Sequence, residues 1–143
     1  MPGRKVTAKL CSAFTLVEVI VVILIVSILA GVAIPILNGK VDSAKWSEAN
    51  SGAGTIRTAV TAYVAGYGVE TAKGLLIDKK LDNADTQALL GFDKNDLKGT
   101  YFVPGDYTIA NIDEFGRPTI SVKSSQENAP GGEKTLAFDG TWE

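Results

Sequence analysis

Apolar residues are concentrated in one unbroken stretch near the start of the chain. From Val19 to Leu37 every residue is aliphatic apart from Ser27, Gly31 and Pro35. About 20 apolar residues in a helix span a hydrocarbon core of ~30 Å. A lone strand in lipid would leave its N–H and C=O groups unpaired. The stretch is therefore predicted to be a membrane-spanning helix.

After Asn38 the apolar residues fall on one side of a helical pattern, which predicts that the helix continues as an amphipathic one until Gly66-Tyr67-Gly68. The residues on that face are Val41, Ala44 or Lys45, Ala49, Ala53, Ile56, Val60 and Val64. Gly52 and Gly54 weaken the middle of this half, since each costs ~1 kcal/mol relative to alanine. Pro35 lacks an N–H donor and clashes with the carbonyl of Gly31, which predicts a kink or a melted turn.

The rest of the chain is predicted to form short helices followed by a small antiparallel sheet. The helices are expected from Glu70 to Leu81 and from Thr86 to Leu90, with Asp85 as the N-cap of the second. Strands are expected at Tyr107 to Ile112, Pro118 to Val122 and Thr135 to Phe138, with Tyr101 to Val103 as a further candidate.

Turn chemistry separates the predicted strands. Asp113-Glu114-Phe115-Gly116 is expected to form the first hairpin turn, and the polar stretch from Ser124 to Glu133 a loop. A sheet laid on the amphipathic half of the helix would bury one group of aliphatic side chains, namely Ile56, Val60, Ile109, Ile120 and Leu136. The predicted fold class is thus α+β, a long N-terminal helix packed on a small antiparallel sheet.

Composition and charge exclude several classes of function. The 143 residues have a net charge of -2 and no basic patch, so nucleic acid is not indicated as a partner. Histidine is absent and the one cysteine is Cys11, which removes the commonest general base, most metal sites and any intramolecular disulfide. Catalysis would have to rest on carboxylates, lysine or Ser/Thr alone, so we expect no enzyme and, calcium apart, no cofactor. Arg4, Lys5 and Lys9 precede the apolar stretch and favour a cytoplasmic N-terminus.

The sequence Ala13-Phe14-Thr15-Leu16-Val17-Glu18, followed by the apolar run, resembles the class III signal of type IV pilins and of the pseudopilins of type II secretion. The resemblance implies that a prepilin peptidase cuts between Ala13 and Phe14 and that Phe14 is then N-methylated. Counted from Phe14, Glu18 is the fifth residue and Pro35 the twenty-second, where the family has its glutamate and often a proline. Ala13 stands where the family usually has glycine, and because alanine is also small, processing is expected.

The resemblance divides the chain and suggests what the glutamate does. It implies a leader at 1–13, a membrane and filament-core helix at 14–37, its amphipathic continuation at 38–65, and a globular domain at 66–143 in a pilin-like fold. A carboxylate at the centre of a membrane helix costs ~2.5 kcal/mol or more unless it is protonated, interfacial or paired. We hypothesise that Glu18 pairs with the N-terminal amine of a neighbouring subunit and sets the register of a filament. An interfacial glutamate at the end of an ordinary anchor is the alternative.

Two further features have a functional and an ordinary interpretation. Gly31 and Pro35 either soften the helix during assembly or reflect the usual composition of membrane helices. Asp113 and Asp139 are calcium candidates, because major pseudopilins bind calcium in a C-terminal loop, but ordinary turn chemistry is the favoured interpretation since no calcium-loop spacing is present. Lys79 and Lys80 are interpreted as a solvated pair.

The predicted function is a structural subunit of a type IV pilus-like filament, a homo-oligomer assembled by helix packing. The resemblance implies a bacterial inner-membrane precursor, an inner-membrane assembly platform as partner, and a mature filament that is extracellular or periplasmic. A pseudopilin of a type II secretion system and a single-pass envelope binding protein are the alternatives. The absence of cysteine after Phe14 departs from the C-terminal disulfide that is common among type IV pilins.

Overall fold

The structure, a computed structural model, describes residues 14–143. The predicted leader and Ala13 lie outside the described residues. The elements in chain order are α1 (Leu16–Tyr67), α2 (Val69–Leu76), α3 (Ala84–Leu90), a 3-10 turn (Pro104–Asp106), β1 (Tyr107–Ile112), β2 (Pro118–Lys123) and β3 (Glu133–Leu136). The α+β class, with a long N-terminal helix and a small three-stranded antiparallel sheet, is confirmed.

The described chain divides into two compact units, with the boundary between Gly39 and Lys40. In the first unit, α1 is apolar on all sides. It is long and apolar enough to cross a membrane, with a mean hydropathy of 3.1 over its most apolar window. It also runs as unbroken helix through Gly31 and Pro35, so the melted turn that the sequence suggested is not present.

The second unit, from Lys40 to Glu143, contains the buried core. The sheet order is β1-β2-β3 with both pairs antiparallel, and a register shift lies between Ile109 and Asn111 of β1. All the side chains that the sequence placed in this core are buried: Ile56, Val60, Ile109, Ile120 and Leu136. Val41, which the helical pattern put on the same face, is 50% exposed, so the buried face of α1 begins at Ala49.

Gly52 of α1 lies directly against the side chain of Tyr107 in β1. A Cβ atom at this position would lie 2.7 Å from Cζ of Tyr107, which is far inside van der Waals contact. Helix propensity predicts that Gly52 and Gly54 weaken the helix equally. The structure distinguishes them, because Gly52 makes room for the buried Tyr107 ring while nothing lies within 4 Å of the corresponding position at Gly54.

The first short helix is shorter than predicted. It ends at Leu76 instead of Leu81, and the residues after it pair with β1. Asp78 N–H donates to Ile109 O at 2.8 Å, and Leu81 N–H donates to Tyr107 O at 3.1 Å. Ladder bonds to β1 therefore replace the last turn of the predicted helix.

Two other boundaries differ from the prediction. The N-cap of α3 is Asn83 and not Asp85, because the Asn83 side chain accepts from the N–H groups of Asp85 and Thr86 at 2.9 and 3.2 Å. β3 spans Glu133–Leu136 instead of Thr135 to Phe138, since Ile120 of β2 pairs with Leu136 at the end of the strand. The further candidate strand at 101–103 is absent, and these residues lie in a loop.

Candidate functional site

The start of α1 is capped by Thr15. Its hydroxyl oxygen accepts from the N–H of Glu18 at 3.2 Å, and its carbonyl accepts from the N–H of Val19 at 3.3 Å. Thr15 and Glu18 have the spacing of a capping box, in which the fourth residue also favours the positive end of the helix dipole. Phe14 precedes the helix and is 79% exposed. The T-x-x-E spacing can be read from the sequence, but the capping role of Thr15 becomes apparent only in the structure.

Glu18 carries the one charged side chain between Phe14 and Leu37. It lies in the first turn of α1 and is exposed. Within the described residues, its carboxylate makes no hydrogen bond or ion pair. Ser27, the other polar side chain in the helical part of this span, donates instead to Ile23 O at 2.7 Å within its own helix. Glu18 is therefore the group in this span that is free to bind a partner.

The apolar side chains around Glu18 have no partners of their own chain. Every large apolar residue from Phe14 to Leu37 is between 46% and 79% exposed. A helix that is apolar on all sides is stable only inside lipid or between other apolar surfaces. Gly31 lies in this span with open space around it, and Pro35 lies within the same helix. A softening role for these two residues stays a prediction.

Asp113 organises the β1–β2 turn. Its Oδ1 accepts from the N–H groups of Phe115 and Arg117 at 2.9 and 2.8 Å, and its Oδ2 accepts from Arg117 Nε at 2.7 Å. Desolvation raises the pKa of this carboxyl, but the bonds from Arg117 and Phe115 outweigh it and hold the pKa below its usual value. Both carboxylate oxygens of Asp113 therefore accept hydrogen bonds that stabilise the turn.

Asp139 has the same kind of role in the turn before the C-terminal segment. Its Oδ1 accepts from the hydroxyl and the N–H of Thr141 at 2.7 and 2.9 Å. These two bonds, hydroxyl first, lower the pKa of the Asp139 carboxyl. Across residues 14–143, no three His, Cys, Asp or Glu side chains are grouped so as to hold a metal ion. Both carboxylates thus hold turns together, and calcium binding by either of them stays an untested prediction.

Two other carboxylates have roles that sequence reasoning missed. Glu48 of α1 accepts from three successive backbone N–H groups, those of Thr100, Tyr101 and Phe102, at 2.8 to 3.0 Å. No local signal identifies this contact, because it joins residues more than 50 positions apart. It fixes the loop before the sheet to the helix.

Asp106, which is 4% exposed, accepts from Val103 N–H at 2.9 Å and from both the N–H and the hydroxyl of Ser125. It thereby joins the 3-10 turn to the chain after β2. The pKa of the neighbouring Tyr107 is raised, mainly by burial and further by the charges of Glu48 and Asp106.

The comparison with protein families bears on the N-terminal segment. The prokaryotic N-terminal methylation motif matches residues 9–34, a range that contains Phe14, Glu18 and Gly31. Over this segment the chain is similar to the N-terminal signal of type IV pilin-like proteins. The motif implies processing by a prepilin peptidase and assembly into pilus-like filaments, and its family is structural rather than enzymatic. No curated protein and no solved structure is similar enough to this pilin-like chain to count as a match.

Proposed function

We propose that this pilin-like protein is the structural subunit of a type IV pilus-like filament. The observation that carries the proposal is the segment from Phe14 to Leu37, which overlaps the matched methylation motif and exposes all its large apolar side chains and one unpaired carboxylate. The precursor is anchored in the bacterial inner membrane, and an assembly platform there moves the subunit into an extracellular or periplasmic filament. The lipid around α1 is then replaced by copies of the same helix.

Processing at the bond between Ala13 and Phe14 is the first step of the proposal. Cleavage creates an amine at Phe14, directly before the Thr15 cap, and methylation leaves that amine positively charged. Mass spectrometry of the mature protein from its own host should give an N-methylated Phe14 as the first residue. A mature protein that still begins at Met1 would overturn this step.

Glu18 gives the filament its register. Apolar packing alone is not directional, so staggered helices could slide past one another. A positive amine of one subunit against Glu18 of the next favours a single axial offset. Leaving one member of a buried ion pair unpaired costs ~3–5 kcal/mol, which is large enough to exclude other offsets.

The Glu18 role can be separated from membrane anchoring. Glu18→Gln and Glu18→Ala should leave the protein in the membrane fraction, because both remove a charge from the apolar span. Both should strongly reduce sedimentable filaments. Ser27→Ala is the matched control, since the Ser27 hydroxyl is already bonded within its own helix. A normal filament yield from the Glu18 variants would contradict the register role.

Gly31 and Pro35 are proposed to let the helix loosen as the subunit leaves the membrane. Pro35 cannot donate to the Gly31 carbonyl, so one bond of the helical ladder is missing there. Amide hydrogen exchange of the full chain in micelles should be faster around Gly31 to Pro35 than around Val22, and Pro35→Ala should slow it. Equal exchange in both segments of the unchanged protein would argue against a soft segment.

A pseudopilin of type II secretion is the second candidate. The observation in its favour is that no cysteine follows Phe14, so the C-terminal disulfide common among type IV pilins is absent. Deleting the gene and then examining both surface filaments and secreted proteins separates the two functions. Loss of secretion with intact surface filaments would favour the pseudopilin, and loss of filaments alone would favour the pilus.

A further inference from the structure

An open groove of about 910 Å³ lies on the surface of the second unit, lined by residues between Lys80 and Ser125. Three lysines line it, and each comes from a different part of the chain. Lys80 follows α2, Lys94 follows α3, and Lys123 is the last residue of β2. From the sequence alone, Lys80 is interpreted as one of two neighbouring solvated lysines. The residues around it in the chain do not indicate that Lys94 and Lys123 line the same groove.

The three ammonium groups are available for binding. Within the described part of the chain, none of them makes a hydrogen bond or an ion pair. The main chain at Lys80 is held in place by its bridge to Thr108 of β1, and Lys123 pairs with Glu133 of β3 through the strand backbone. Two of the lysines thus present exposed side chains from a backbone held by strand pairing.

The uncharged polar side chains of the groove, Gln87, Ser124 and Ser125, are bonded to the protein itself. Gln87 donates through Nε2 to Leu81 O at 2.7 Å, and the Ser125 hydroxyl donates to Asp106 at 2.8 Å. The Ser124 hydroxyl donates to Tyr101 O at 3.0 Å. The groove therefore recognises a ligand chiefly by charge, because its directional donors point inward.

Two carboxylates line the same groove, and they differ in exposure. Asp106 is 4% exposed and its oxygens already accept three hydrogen bonds, so it presents little free charge. Asp82 is exposed and lies over Gly105, where a Cβ atom would come within 2.8 Å of its Oδ2. Asp82 is consequently the group that opposes an anionic ligand.

We propose that this groove binds a linear, non-aromatic polyanion whose carboxylate or phosphate groups bridge the three lysines. A lysine ammonium is a compact point charge that suits such groups without demanding one geometry. The groove is larger than a single inorganic anion needs. Among the residues that the structure describes, no aromatic side chain lines it, so these residues offer no platform for the base stacking that supports single-stranded nucleic acid binding.

Titration calorimetry of the full chain in neutral detergent micelles tests the proposal, with polygalacturonate as the carboxylate probe and polyphosphate as the phosphate probe. A flexible strand releases ~0.7 counterions per neutralised charge, so three lysines predict a slope of about -2 for log K against log salt. Lys80→Gln, Lys94→Gln and Lys123→Gln should each make that slope shallower by ~0.7. Asp82→Asn should tighten binding.

Lys79→Gln is the matched control, because Lys79 is the exposed neighbour of Lys80 but does not line the groove. It should bind both probes like the unchanged protein. Binding of either polymer that depends on the three lysines supports the proposal, and the tighter one identifies the anionic group. An equal loss in Lys79→Gln, no loss in the three variants, or tighter binding of single-stranded DNA than of both probes would overturn it. Binding in micelles is measured without requiring filament assembly, so failure here is independent of the filament proposal.

Discussion

Glu48 and Gly99 form one unit, and we predict that their substitutions are not additive. The Glu48 carboxylate accepts the N–H groups of Thr100, Tyr101 and Phe102. It reaches them because Gly99 has no side chain. A Cβ atom at Gly99 would lie 2.5 Å from Glu48 Cδ, so the carboxylate could not stay in place. Gly99→Ala should therefore break the same three bonds as Glu48→Ala.

The expected cost follows from the burial of the three donors. The Thr100 N–H is exposed and can bond to water, whereas those of Tyr101 and Phe102 are partly buried. A hydrogen bond to a charged group contributes ~1.5–3 kcal/mol, so losing two of them at the lower limit costs about 3 kcal/mol. Each single variant should lose that amount of unfolding free energy.

The double variant shows whether the two single variants lose unfolding free energy through the same three hydrogen bonds or through independent effects. Once Glu48→Ala has removed the carboxylate, Gly99→Ala has nothing to displace, so both together should cost about 3 instead of about 6 kcal/mol. Urea unfolding of the full chain in mild detergent can be followed by tryptophan fluorescence, since Trp46 and Trp142 both lie in the second unit. Additive losses of unfolding free energy in the double variant would refute the idea that Gly99 acts through the three Glu48 hydrogen bonds, which we call the Glu48 clamp.

Three further predictions concern the same unit. Gly52→Ala should destabilise it by ~1–3 kcal/mol through overpacking against Tyr107, whereas Gly54→Ala should stabilise it by up to ~1 kcal/mol. Both are measured by urea unfolding, and equal effects would contradict the close approach. Because the pKa of Tyr107 is raised, the folded state should lose stability as the pH rises above about 10, and Tyr107→Phe should remove part of that loss in alkaline titrations. The pKa of Asp113 is lowered, so its contribution is present at neutral pH and lost as the pH falls below about 4, a loss that Asp113→Asn should lack.

Local sequence patterns predict which helices and strands form, but they predict only some of the residues at which these elements end. The bounds of β1 were predicted correctly, and α1 ended where Gly66 to Gly68 indicated. Both depend on periodicity and turn residues that lie next to the element. The residues from 77 to 81 have helical propensity, yet they pair with β1, because a tertiary ladder outweighs a weak local preference. β3 was misplaced by two residues since its register is set by β2.

The same division holds for the sites. Phe14 and Glu18 could be proposed as site residues from the sequence because the processing signal and the helix start are contiguous, and their roles stay predictions. The Glu48 clamp and the three-lysine groove could not, since each brings together residues from distant segments. Gly52 shows the difference most directly. In the sequence it is a helix breaker, and in the structure it is the position that allows the Tyr107 ring to pack.

The two halves of α1 are stabilised by different surroundings, and this makes assembly separable from folding. From Phe14 to Leu37 the large apolar side chains lie exposed, so lipid or other subunits must cover them. From Ala49 onward the buried positions follow at intervals of three or four, and the chain covers them with its own sheet. Glu18→Gln should therefore leave the tryptophan-detected unfolding of the second unit unchanged while filament yield falls. A parallel loss of unfolding free energy would mean that Glu18 supports the fold and not the contact between subunits.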